Sequence, residues 1–165
     1  MELAAVLGLL SQYGVLILLV ITCLEAMNCP GMPAGVVLPA AGVYAANGQI
    51  SVFLAVLMTI VGGMIGTSIL YLIGRAGGQK LLEWLAERSK SFCKASKRCE
   101  SFLQKNSFLK VFLGRIIPVV RTILPLPAGA YRISPLLFLM ASALGITCYN
   151  AVCVGAGYLL AYLFI

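Results

Sequence analysis

Two arginines six residues apart, Arg115 and Arg121, sit in the stretch GRIIPVVRTILPLPAGAY, residues 114 to 131, which is otherwise free of charge. A planar guanidinium stays charged when desolvated and holds phosphate or carboxylate oxygens through two parallel hydrogen bonds, so such a pair suits an anion, phosphate above all. On an unbroken helix a separation of six points the two side chains to different sides. Pro118 lies midway between them, and the break it causes would let both converge. Glu25 is the third candidate, a lone carboxylate between the charge-free runs 3–24 and 26–74. A charge at membrane depth costs at least about 2.5–3.5 kcal/mol and persists where it faces a cavity, a partner or a substrate. A carboxyl there can also bind and release a proton. Plainer roles stay open: an interfacial carboxylate for Glu25, and snorkelling or a structural bridge to Glu25 for the arginines. Arg75 and Arg132, at span ends, read as interfacial anchors.

The elements that must position these residues belong to a membrane. The chain has 165 residues, 61% of them hydrophobic and 10% charged, with mean hydropathy +1.02, too little polar surface to coat a soluble globule. The run 3–24 is long enough for one span, which takes about 20 apolar residues, and the run 26–74 holds more than one element. It lacks the basic leader and cleavage site of a signal peptide, so 3–24 is expected to be a retained span. Composition also excludes chemistry. There is no histidine and no aspartate, which removes histidine-based acid–base and triad mechanisms. The six cysteines, 23, 29, 93, 99, 148 and 153, match neither C-x-x-C pairs nor zinc knuckles, so neither a metal site nor a cofactor is expected. With no nucleophile-and-base pair, an enzyme is not expected either. All twelve Lys and Arg residues lie between 75 and 132, a region this marks as cytoplasmic. It is flanked by spans and carries no nucleic-acid motif, so nucleic acid is not an expected partner, and the basic segment reads either as a topology signal alone or as a contact with anionic headgroups.

Breaker residues divide the rest. Residues 26–49 contain three prolines and four glycines, too many for a continuous span. Irregular backbone survives at membrane depth only against other protein or a water-filled cavity, so 26–49 reads as a re-entrant hairpin that turns near Pro33 to Gly35, with Pro39 in its second leg. A span over 50–74 follows, with Gly62-x-x-x-Gly66 as a close-packing face. From 77 to 106, Leu81, Trp84, Leu85, Phe92, Cys99, Phe102 and Leu103 recur at helical spacing among charges, an amphipathic helix on the cytoplasmic interface, with a break expected near Ser89 to Ser91. Residues 108–131, broken by Pro118, Pro125 and Pro127 with Gly129 behind them, read as a second hairpin, and 133–165 as the last span. The whole is one membrane domain.

The halves resemble each other. LPAAGVY at 38–44 is matched by LPAGAY at 126–131, and each precedes an Ile-Ser pair, 50–51 and 133–134. Gly62 and Gly74 lie 12 and 24 residues after Ile50, and Gly145 and Gly157 lie 12 and 24 after Ile133. With 75–132 cytoplasmic, the first hairpin enters from outside, the second from the cytoplasm, and the N-terminus lies inside. The expected fold is therefore an all-α polytopic membrane protein, an inverted repeat of two re-entrant hairpins each followed by a transmembrane helix, plus an N-terminal span and the amphipathic helix. Such repeats are the architecture of secondary transporters.

LGRIIPVVRTILPLPAG, CLEAMNCPGMPAGVVLPAAG and GTSILYLIGRAGG together resemble the signature of the DedA family of bacterial membrane proteins, which carry the SNARE-associated or VTT domain. The likeness runs from about Leu24 to the C-terminus. It implies two oppositely inserted hairpins, a place in the bacterial cytoplasmic membrane, and movement of a lipid across it: undecaprenyl phosphate for bacterial members, or a phospholipid, with proton coupling. The family's essential residues carry over as Glu25, the first membrane acid, and as Arg115 and Arg121, the paired arginines. Many members place a second acid in a Pro-Gly-acid turn where this chain has Gly35, which removes one carboxylate of a relay. The alternatives are a proton-coupled exporter of small cations or drugs, which paired arginines disfavour, and a structural membrane protein that transports nothing. A homo-oligomer is left open.

Overall fold

The computed structural model describes residues 14–27, 35–88 and 108–164, with Pro118, Val119 and Phe164 described by backbone alone. The beginning of the 3–24 span, Cys29, Pro33, the 89–106 part of the amphipathic segment with Phe92, Cys93, Cys99, Phe102 and Leu103, and Ile165 lie outside the described residues.

Among the described residues there are helices and no strands: α1 (Val15–Ala26), α2 (Val37–Ala46), α3 (Val52–Arg88), α4 (Phe108–Ile116), α5 (Pro118–Ile123), α6 (Pro125–Ala130) and α7 (Pro135–Phe164). Two of them, α3 and α7, are long and apolar enough to cross a membrane, with mean hydropathies of 2.2 and 1.8 over their most apolar windows. Each shows the apolar stripe that lipid would meet. Phe53, Leu57, Val61, Ile65 and Ile69 stand exposed at four-residue intervals along α3, as do Leu136, Met140 and Leu144 along α7. Gly78, at φ 57° and ψ −154°, kinks α3, a conformation that a side chain would oppose. Beyond the kink the helix turns amphipathic: Leu81, Leu82 and Leu85 pack with Leu126 and Ala130 of α6, while Trp84 is exposed with the Arg88 guanidinium 5.2 Å from its ring.

The chain forms two compact units, Met1–Gly66 with Thr147–Ile165, and Thr67–Ile146. In the first, α1 and the start of α3 touch backbone to backbone at Gly62 and Gly66, where an added Cβ would strike the carbonyls of Leu19 and Cys23. The Gly62-x-x-x-Gly66 face thus fixes the helix that carries Glu25. α2 meets the end of α7 in the same way: a Cβ on Gly42 would strike Val154 O and Tyr158 N, and one on Gly157 would strike the backbone of Pro39. Leu18, Ile21, Val37, Leu38, Ala40, Ala41 and Val154 fill the core between them.

In the second unit α6 meets the middle of α3. A Cβ on Gly129 would strike Tyr71 O and Arg75 N, and one on Gly74 would strike Leu126 O. The two contacts use corresponding positions, since Tyr71 and Arg75 lie 21 and 25 residues after Ile50, and Val154 and Tyr158 lie 21 and 25 after Ile133. The recurrence seen in the sequence is therefore a recurrence of helix contacts. Val111, Val120, Leu124, Ala128, Phe138 and Ala141 form this unit's core, which closes around α4 and α5.

Candidate functional site

The proline-broken segment is built by what its prolines remove. α4 ends at Ile116, and Ile117 adopts φ −80° and ψ 118°, the extended geometry that a following proline imposes. Pro118 then opens α5 at the first helical position, where a missing N–H costs nothing, and Arg121 N donates to Ile117 O at 2.9 Å. Pro125 opens α6 after Leu124, which keeps helical dihedrals at φ −53° and ψ −35°. A helix would bond the carbonyl of Arg121 to the N–H four residues on, but that residue is Pro125.

The donor comes from Arg115. Its Nη1 donates to Arg121 O at 3.0 Å and to Thr67 Oγ1 at 3.2 Å, and its Nη2 donates to Ser142 Oγ at 2.9 Å. The guanidinium lies 5.1 Å from the ring centroid of Phe138, and the residue is only 3% exposed. α4 can bring it there because Gly145 of α7 leaves room for the Arg115 stem. Phe138 stacks on Tyr71 with centroids 4.8 Å apart. Tyr71 Oη donates to Ile133 O at 2.6 Å and accepts from Arg75 Nη1 at 2.9 Å. The chain from exposed Arg75 through Tyr71 and Phe138 to buried Arg115 is thus continuous.

Arg132 ends α6 with φ 54°, a left-handed residue, with Arg132 N bonded to Gly129 O at 2.9 Å and Ile133 N to Ala128 O at 3.1 Å. This is the Schellman closure, usually made with glycine.

Of the residues singled out in the sequence, Arg115 and Arg121 meet through the side chain of the first and the backbone of the second; the Arg121 side chain is half-buried. Pro125, Pro127 and Gly129 are buried in α6, and Arg75 and Arg132 are exposed. Glu25 belongs to the first unit, at the end of α1, and is 4% exposed. Gly35, at φ 103°, precedes α2, and Pro39 lies within it against Gly157. Sequence reasoning passed over Thr67, Ser142, Tyr71 and Phe138. A signal existed for the first two: hydroxyls recur 9 residues after each Ile-Ser start, at Thr59 and Ser142, and polar residues recur 17 after, at Thr67 and Asn150, all four buried.

Two helices long and apolar enough to cross a membrane are consistent with an integral membrane protein. Residues 29–159 match the VTT domain, and the chain belongs to that family, the DedA family. It is 32% identical to the uncharacterized membrane protein YkoX of Bacillus subtilis over 68% of this chain and 51% of that protein. It is 27% identical to undecaprenyl phosphate transporter A of Staphylococcus aureus over 86% of this chain and 71% of that protein. The undecaprenyl phosphate transporter A of Bacillus subtilis is 31% identical over 70% of this chain and 58% of that protein. The chain thus spans between half and about seven-tenths of the length of these relatives. No solved structure matches it.

Proposed function

We propose that this chain moves a lipid phosphate, undecaprenyl phosphate in the first instance, across the bacterial cytoplasmic membrane, and that it is a transporter rather than an enzyme. The observation that supports this reading is the arginine-bearing, proline-broken α4–α5 segment, in a family with relatives named as transporters of that lipid. A phosphate headgroup carries its charge into a low-dielectric region only where fixed cations meet it, and guanidinium groups do so without losing their own charge. The apolar stripes of α3 and α7 suit the hydrocarbon tail. Glu25 supplies a proton that offsets charge movement, and the two hairpins enter from opposite faces with the N-terminus inside.

The test is transport in vesicles of phosphatidylethanolamine and phosphatidylglycerol, with undecaprenyl phosphate in one leaflet and its appearance in the other measured. Wild-type protein accelerates the exchange, and Arg121→Lys, which keeps the charge without the bidentate fork, loses most of the acceleration. An exchange rate equal to that of protein-free vesicles would overturn the proposal.

A further inference from the structure

We infer that Arg115 is a positioning residue rather than a phosphate ligand: its guanidinium replaces the N–H that Pro125 lacks, and so fixes the backbone from which Arg121 meets the phosphate. The inference rests on the proposed lipid-phosphate transport. Three observations carry it. The acceptor of Arg115 Nη1 is the one carbonyl in the segment that stands four residues before Pro125. Both terminal nitrogens are committed, to Arg121 O, Thr67 Oγ1 and Ser142 Oγ, and the two hydroxyl residues are fully buried in α3 and α7. Arg121 by contrast is half-buried, on a helix of six residues. A guanidinium with this set of acceptors ties α3, α5 and α7 together around one backbone carbonyl.

The roles of the two arginines therefore differ, and a substitution that returns the missing N–H separates them. Leu124 already has helical dihedrals, so alanine at 125 can direct an N–H at Arg121 O as in an uninterrupted helix. If Arg115 works by satisfying that carbonyl, Pro125→Ala makes Arg115 partly dispensable. If Arg115 touches phosphate itself, Pro125→Ala changes nothing in its absence.

The experiment uses the full chain in lipid nanodiscs and measures affinity for undecaprenyl phosphate together with the melting temperature. Arg115→Met is expected to weaken affinity by about tenfold or more, the effect of stranding a buried carbonyl and displacing what it holds. The double variant Arg115→Met/Pro125→Ala recovers affinity to within about threefold of Pro125→Ala alone, the non-additivity that coupled residues show. Arg121→Met loses affinity whether or not Pro125 is replaced. Ser142→Ala, which leaves both arginines in place, weakens affinity in the same direction as Arg115→Met. A double variant that regains melting temperature but not affinity would overturn the positioning role and return Arg115 to the phosphate. Should Arg115→Met not fold, Ser142→Ala decides: unchanged or tighter binding sinks the inference. Wild-type protein that does not bind the lipid at all would instead overturn the transport reading and the assignment of Arg121 with it.

Discussion

Glu25 and Arg115 are both nearly inaccessible, yet the physics of the two differs. A guanidinium remains charged wherever it is placed and needs acceptors, which the terminal nitrogens of Arg115 find in two hydroxyls and a carbonyl. A carboxyl can instead become neutral, and the proposed coupling asks the buried Glu25 to gain and lose a proton during a cycle. Glu25→Gln keeps the shape and the hydrogen-bonding capacity of the acid but cannot release a proton. The expected outcome is near-normal lipid affinity with transport that no longer varies with pH, read in vesicles at several internal and external pH values. Retention of the wild-type pH profile would assign Glu25 to structure alone. At position 132 the sequence resists its own backbone. An arginine occupies the left-handed closure of α6 at φ 54°, whereas the corresponding closure of α2 uses Gly48 at φ 73° with the same bond from N to the carbonyl three residues back. A side chain in this conformation costs about 1–2 kcal/mol, so Arg132→Gly is expected to raise the melting temperature by a few degrees. An unchanged or lower value would mean that the Arg132 side chain contributes as much as its backbone costs.

At the scale of elements, the glycine contacts decide which helices pair. Alanine at Gly74 or Gly157 would place a methyl group inside the backbone of α6 or α2, and overpacking of this kind costs about 1–3 kcal/mol or more. Both variants are therefore expected to melt several degrees lower in detergent, whereas Gly155→Ala, which meets open space, leaves melting unchanged. Equal behaviour of all three would show that close approach is not what holds these pairs. Gly74 and Gly157 showed in the sequence only as glycines at matched distances from two Ile-Ser starts, whereas the Gly62-x-x-x-Gly66 packing face was legible in advance. So were the helical class and the two long apolar elements, which follow from charge-free runs, and the end of α4, which Pro118 announces. The surroundings of Arg115 were not legible. Its acceptors lie 48 and 27 residues away on other helices, and periodicity within one element carries no information about them. The carbonyl of Arg121 could have been suspected from Pro125 four residues later, but not which donor would serve it.

For the molecule as a whole, the charge distribution predicts an orientation that can be checked directly. Since every Lys and Arg lies in 75–132, maleimide reagents confined to one side of the membrane are expected to label Cys93 and Cys99 from the cytoplasm only. Labelling from outside would reverse the orientation and remove the opposed-hairpin reading with it. The contact between α2 and α7 has a further consequence, for biosynthesis. Gly42 of α2 packs on Val154 and Tyr158, more than a hundred residues later in the chain, whereas Gly129 of α6 packs on Tyr71 and Arg75, which the ribosome has already delivered. At about 5–20 residues per second, the surface that α2 needs emerges on the order of ten seconds after α2 itself. During that interval the second unit can assemble on α3 while α2 waits with its glycine face uncovered. α2 is then made early and covered late, and a ribosome stalled before residue 154 leaves behind a chain in which α2 still lacks the partner surface of α7.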